Sequence, residues 1–551
     1  MSTDSPAPVH ARVGISRRDA LRLMGLTGAA ASFSGVLAGC GSGEGGSGGG
    51  GDGGEIESLT WIVTSLVHLD MAKMGDPGSK AAQALVTESL LTLDDNLEMV
   101  GALAESWEEV DPQTYVYKLR SGVTFSDGTP LTADDVIFSY LRHQDPEVAS
   151  TYSPAFIDVV SVEETADNEV TVKLSRPAAF WQQVPTYAPI VSRAFVESLG
   201  DKFGAPGTDT MLGTGPYIVT NFAGDESVSF TRNEDYWGEK PAVKELKLQL
   251  ISNSQTAQLA MRSGDADGMF FIPVTEAGDW QEIEGLSVTS APGLAPAYFA
   301  WDLNEAPWND VHVRRAIAFA LDRVGLVEGL LAGFGQPANS LVPRDQWEGF
   351  GLPEERIEEI YSSLRAYDFD LDAARDELAQ SAYPDGFAAT VKFGDAKPEL
   401  GQVSLNLKET LAEIGVDLTV EEVPLQQEIA DVVGHVNIGF RAMSFTPELL
   451  DPADFPSYMT PSQYAVANSF NISGWNNPRV DELIQAQGII TDPVERGEML
   501  EEVMQLMSEE LPYLPIWWED IAMPVRDEFT YTGLHPLFFK KGIWVANVAR
   551  A

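Results

Sequence analysis

Residues able to carry covalent or metal chemistry are few in this chain and poorly placed for it. Gly45-Gly-Ser-Gly-Gly49 has the spacing of the serine-hydrolase elbow GxSxG. That elbow needs a strand before it and a helix after it; inside a glycine tract the match is chance. Histidines stand at 10, 68, 143, 312, 435 and 535 without HxxxH-type spacing, so no zinc site of local ligands is expected. The single cysteine, Cys40, excludes an intramolecular disulfide. Neither a P-loop GxxxxGK(S/T) nor a strand–GxGxxG–helix occurs. Paired carboxylates carry no signal, because 83 acids bring some together by chance. Arg314, Arg315 and Arg323 could meet a ligand, but a solvated or ion-paired helix face is the preferred reading. Met504 and Met507 share a helix face with Leu500 and Val503, the pattern of core packing. These residues lead to no enzyme, no cofactor and no resident metal.

The elements that must position any site belong to a long, acidic chain. At 551 residues it exceeds one ordinary core and implies two or three domains. Acidic residues outnumber basic ones 83 to 35, a net charge of −48, which excludes nucleic acid and anionic membrane surfaces as partners. The acids are spread along the whole chain. That pattern fits a carboxylate-covered surface for a saline habitat better than one locally acidic site, since molar salt shortens the Debye length to ~3 Å. No apolar run reaches the ~18–20 residues that span a bilayer.

Residues 1–55 read as targeting and tether rather than fold. Ser16-Arg17-Arg18-Asp19-Ala20-Leu21 resembles a twin-arginine export signal, and an apolar, Gly/Ala-rich stretch follows from Leu23 to Val36. Leu37-Ala38-Gly39-Cys40 resembles a lipobox, making Cys40 the expected lipidation site at the end of a 1–40 signal. Residues 41–55, nearly all Gly, Ser, Glu and Asp, form a flexible tether with a reach of roughly 20 Å.

Residues 115–142 carry the most information. Tyr115, Tyr117 and Leu119 alternate as in a strand; Asp127-Gly128 marks a turn; Thr132 and Asp135 have capping-box spacing; Val136, Ile137, Tyr140 and Leu141 form one helix face. Further along, helix is expected at 83–91, 255–261, from Asp310, from Asp370, and after Asn477-Pro478 and Asp492-Pro493. Strands are expected at 58–65, 169–174, 244–250 and 416–423.

As text, Leu103-Ala-Glu-Ser-Trp107, Leu119-Arg120, Gly122-Val123 and Phe125-Ser-Asp-Gly-Thr-Pro-Leu-Thr-Ala-Asp-Asp-Val136 resemble the signature of the family 5 solute-binding proteins of ABC importers. Gly213-Thr-Gly-Pro-Tyr217 with 228–237, Ser263–Gly268, Val313–Arg323 and Leu511–Trp518 extend the resemblance over roughly 85–520. It implies a two-lobed α/β, class II periplasmic-binding-protein-like fold. The expected division is lobe I at 56–84, 210–300 and 510–551, an extra subdomain at 85–209, and lobe II at 301–509. It also implies an extracytoplasmic receptor, held at the outer face of the membrane through Cys40, that closes on a small solute and delivers it to ABC permease and ATPase subunits. A peptide is the foremost ligand, with nickel or an oligosaccharide as alternatives. A sensor for a chemoreceptor and a hydrolase that borrowed the fold are the rival classes.

In peptide-binding members a segment like W-x-A-D-Y-x-D-P supplies a carboxylate to the ligand's ammonium. The matching stretch here is 441–455, where Glu448 takes the carboxylate's place and Phe445 that of the Trp, while Leu449 replaces the usual Tyr. Arg441, Trp301, Tyr298, Trp475 and Trp61 are the secondary candidates, as a cation and aromatic walls for a ligand.

The export reading has a direct check. Cys40→Ser should give protein without lipid, and replacing both Arg17 and Arg18 by Lys should block export; normally lipidated Cys40→Ser protein would contradict the lipobox.

Overall fold

The computed structural model describes residues 54–551 apart from 74–75, 348–349 and 448. Arg17, Arg18, Cys40, nearly all of the tether and Glu448 therefore lie outside the described residues.

Folding starts where the glycine tract ends. In the strand Ile56–Val63 all interior positions from Trp61 to Val63 are buried, as a strand covered on both faces requires. Trp61 enters one core and Ile62 the core on the opposite face. This strand pairs in parallel with Val243–Leu250 and, at Trp61 and Ile62, with Gly268–Met269. Among the described residues eleven strands join one sheet, running from Asp417–Val423 at one edge to Tyr217–Phe222 at the other.

Two long strands, Leu286–Trp301 and Tyr513–Arg526, cross the middle and pair antiparallel along their length. Beyond them Phe440–Ser444, Ala388–Gly394 and Asp417–Val423 continue the sheet, the last three mutually parallel. Helices cover both faces. Each begins as its sequence signals: the side chains of Asp310, Asp370, Asn477 and Asp492 all accept from backbone N–H groups of their own first turns.

The subdomain is a four-stranded antiparallel sheet, in the order Ala104–Asp111, Thr114–Leu119, Glu169–Leu174, Val159–Ala166. Tyr115, Tyr117 and Leu119 point into its core. The turn at Asp127-Gly128 places Gly128 at φ 85°, and Asp135 Oδ2 accepts from Thr132 N at 3.0 Å and Thr132 Oγ1 at 2.8 Å. One expected element differs. The helix is Pro77–Gln83, capped by Asp76, not 83–91. Past Ala84 the backbone serves another segment, since Leu85 O and Val86 O accept from Tyr217 N and Gly215 N.

The crossing strands lose register twice near their centre, by one residue between Ala297 and Tyr298 and more widely just before it. Ala291 faces Ile521 and Ala295 faces Glu519, so Pro292, Gly293 and Leu294 bulge opposite Asp520 alone. On one side of the bulge the first crossing strand has only its long partner; on the other it also pairs with Phe440–Ser444. The expected bounds at 300/301 and 509/510 lie near the far ends of the same two strands, and we propose this bulge as the division between the lobes. Glycine is required there, because a Cβ on residue 293 would come within 1.9 Å of Glu519 O. Gly293→Val should cost about 1–3 kcal/mol or more in stability. Melting equal to wild type would show that the bulge yields freely.

Candidate functional site

The register itself builds a crevice. The first crossing strand runs parallel to Ile56–Val63, because Gly268–Met269, parallel to Ile56–Val63, and the first crossing strand are both antiparallel to Tyr513–Arg526. The parallel strands of lobe I thus end at the level of the bulge. In lobe II, Phe440–Ser444 runs the opposite way, with Ser444 opposite Ala297, so its C-terminal end also meets the bulge. The carboxyl ends of both sets of parallel strands face one another across it, the place where open α/β sheets hold ligands. The lobes also touch beyond it. Ala179 N donates to Gly488 O at 2.9 Å and Gln183 Nε2 to Leu450 O at 3.1 Å. Leu93, Leu97 and Leu537 pack with Leu294 and Leu450.

Carboxylates gather at the lobe II end. Glu428 follows the strand Asp417–Val423; burial raises its pKa, Arg441 partly offsets this and Asp395 adds to it. At the bulge, burial likewise raises Glu519 and Asp345. Asp520 is pushed up to about 6 by burial and by the charges of Asp345 and Glu519. Asp345 and Asp520 line a cavity of about 130 Å³ together with Gly293, Arg344 and Trp518. Of these, Asp345, Glu519 and Asp520 lie within reach of one another's charge, and a cation beside Asp520 would relieve that repulsion. Among the described residues no group of three or more His, Cys, Asp or Glu is arranged to hold a metal ion.

The segment after Arg441 is held firmly around the undescribed position 448. Phe445 is half-buried; its N donates to Pro296 O at 3.2 Å and its ring meets Phe455 edge-on at 5.3 Å. Leu449 N donates to Asp454 Oδ2 at 3.0 Å, and Leu449 O accepts from Gln346 Nε2 at 3.3 Å. Asp451 takes two bonds from Arg496 Nη2, at 2.9 and 3.1 Å, and is 2% exposed.

The remaining candidates are placed by packing. Trp61 lies in the lobe I core between Phe270, Tyr531 and Trp544, with no open face. Trp301 stacks on Trp308 and Phe440 and donates through Nε1 to Leu511 O at 2.7 Å. Tyr298 is edge-on to Phe455 and Tyr513 in the lobe II core. Trp475 Nε1 donates to Glu510 Oε2 at 2.7 Å. Arg441 is fully buried, pairs with Asp431 and donates to Ile438 O and Asn437 O. Arg314, Arg315 and Arg323 are tied to backbone carbonyls of the helix and strand that close the chain, at Glu510, Glu509 and Pro515. Phe445 alone of the described candidates keeps a partly open face beside the crevice.

Residues 98–467 match the model of the bacterial extracellular solute-binding proteins, family 5, and the chain belongs to that family. Heme-binding protein A of Haemophilus influenzae is 26% identical over 448 residues, covering 75% of this chain and 78% of the relative. The glutathione-binding protein GsiB of Escherichia coli O1:K1 is 24% identical over 477 residues, 85% of this chain and 90% of the relative. The periplasmic binding protein DppA of Helicobacter pylori, solved with the peptide STSA, superposes with a TM-score of 0.72 at 21% identity, covering 90% of this chain and 98% of the other. The fold is thus the two-lobed one of this family, and the protein is an extracytoplasmic receptor that supplies an ABC importer. Among the described residues no helix is long and apolar enough to cross a membrane.

The bulge acids give a pH signature. Asp520 has a folded pKa of about 6 against a model-compound value of 3.8. A raised acid stabilises the fold fully below its unfolded pKa, and that contribution is lost as pH rises through the folded value. Asp520→Asn should therefore melt higher than wild type above pH 6 and converge with it near pH 4. Identical melting curves at both pH values would place Asp520 in solvent.

Proposed function

We propose that the protein captures a peptide in the interlobe crevice, binds its ammonium group at the acidic lobe II end, and releases it to an ABC permease. Asp345, Glu519 and Asp520 at the bulge carry this reading, because an ammonium group would relieve the repulsion that raises Asp520. Two further points support it. The 441–455 stretch resembles the family segment that supplies a carboxylate, and Phe445 stands beside the crevice as an aromatic wall. A ligand touching both lobes favours the closed form by its differential affinity, and the importer reads that form. Lipidation of Cys40 would keep the receptor at the membrane, with the Gly-rich tether as its leash.

Relatives differ in what their names say they bind, so the ligand must be tested directly. Wild-type protein should bind amine-bearing tri- to pentapeptides in calorimetry, and N-acetylation of the peptide should weaken binding sharply. Truncating one partner of a desolvated charge pair costs ~2–5 kcal/mol. Glu448→Gln should therefore weaken binding at least about tenfold, and N-acetylation should then cost the variant little. Equal affinity of Glu448→Gln and wild type would remove Glu448 from the site. No binding by any free-amine peptide would overturn the peptide reading.

A further inference from the structure

Lobe II holds a cavity of about 540 Å³ along the edge of the strand Tyr513–Arg526 that is turned away from Leu286–Trp301. Its lining comes from residues 321–369 and 504–518. At that edge Pro515 O accepts from Arg323 Nε at 2.8 Å, and Ile516 O accepts from Ala338 N at 3.1 Å. Leu321 and Tyr367 belong to the core on one face of the sheet, and Tyr361, Met504 and Met507 to the core on the other. The space therefore lies between the two helix layers, and its size falls within the roughly 300–1,000 Å³ of small-molecule sites.

Apolar side chains make most of the wall. Met504 and Met507, whose spacing alone reads as core packing, both border the space. An unbranched thioether chain bends to suit an irregular occupant. Trp518 adds a ring, fixed by Nε1 donating to Ser340 O at 2.9 Å. Val324 and Phe369 line the same space yet are 57% and 44% exposed, apolar surface left in water.

Five charged side chains share the lining, and four are already served. Asp322 Oδ1 accepts from Gly325 N at 2.9 Å, and Asp368 is exposed to water. Arg344 pairs with Glu354 and Glu358, and Arg365 with Glu377. Arg323 is different. Its Nε holds Pro515 O and its Nη1 holds Ala318 O and Tyr367 O, while among the described residues Nη2 has no acceptor and the guanidinium no ion pair. Burial lowers its pKa to about 10, and the charge of Asp368 offsets this only in part. A negative group entering the cavity would meet a guanidinium with one arm unused. We propose that this cavity binds an apolar acid, its carboxylate on Arg323 Nη2 and its alkyl or aromatic body against Met504, Met507 and Trp518. Arg323 anchors the head, and the apolar wall sets how long a body is held.

The test titrates the mature protein by calorimetry with sodium decanoate below its micelle concentration, with decanol as the uncharged body and sodium butyrate as the short one. Decanoate should bind saturably and one to one, and decanol and butyrate each at least about tenfold more weakly. Arg323→Met should weaken decanoate by a similar factor and leave decanol unchanged, which separates loss of the head contact from damage to the wall. Should Arg323→Met fail to fold, Val324→Glu with Phe369→Glu carries the test. Both positions are exposed, so that variant should melt as wild type does while the like charge at the rim weakens decanoate at least about tenfold. Glu448→Gln, aimed at the crevice ligand, should leave decanoate binding unchanged; a large loss there would move the acid out of this cavity and into the crevice. Wild-type protein that does not bind decanoate saturably, or that binds decanol as tightly, would overturn the proposal.

Discussion

The antiparallel pairing of Leu286–Trp301 with Tyr513–Arg526 is the constraint on which the rest of the molecule depends. These two strands carry the sheet from one lobe into the other, so neither lobe can turn without working against their ladder. The bulge at Pro292–Leu294 is where that ladder gives. Gly293 lets the backbone pass within contact of Glu519 O, and Asp520 is left opposite three residues. On either side the pairing is anchored. Trp301 Nε1 is tied to Leu511 O at one end, and Gly268 pairs with Val525 near the other. One buried cluster nevertheless runs through the sheet on both sides of the bulge, joining Ile62 and Trp280 to Val391 and Leu418. A hinge of this kind places its flexible point at the floor of the crevice, so that ligand and hinge share an environment.

That shared environment explains the acids. At the bulge Glu519 and Asp520 are successive residues of one strand, close enough for the charge of Glu519 to help raise Asp520. Elsewhere a few cations serve the interior. Arg314 and Arg323 hold backbone carbonyls, burial lowers both to about 10, and Arg142, Arg441 and Arg496 are paired with buried aspartates. Exposed pairs fade in concentrated salt, whereas these internal ones are screened far less.

Much of the fold was legible because it is written locally. Alternation at Tyr115, Tyr117 and Leu119, the turn at Asp127-Gly128, and the caps at Asp310, Asp370, Asn477 and Asp492 each depend on a few adjacent residues. The helix expected at 83–91 failed for a non-local reason: the carbonyls of Leu85 and Val86 are taken by residues 215 and 217. The site was harder to read. Trp61, Trp301, Tyr298 and Trp475 are apolar enough for a core and polar enough for a cleft, and only the packing around each tells the two apart. The crevice acids were hidden by number, since nothing local separates Glu519 and Asp520 from the other acids. Pro292-Gly293 within an otherwise regular apolar stretch was the one available sign of the hinge.

Closure uses little that depends on ligand chemistry. The subdomain meets lobe II through Gln183 on Leu450 O and Ala179 N on Gly488 O, and through a leucine cluster. Two of these contacts end on backbone carbonyls, and the third asks only for apolar side chains. Such a rim survives wide changes of sequence on the crevice floor, provided the backbone stays in place. Arg496 on Asp451, and Asp454 and Gln346 on Leu449, fix that backbone just beyond position 448 from inside the lobe. Ligand choice is thereby left to a handful of side chains on a frame that does not depend on them. A sequence can therefore define this receptor's fold and closing motion in detail while its ligand rests on very few positions.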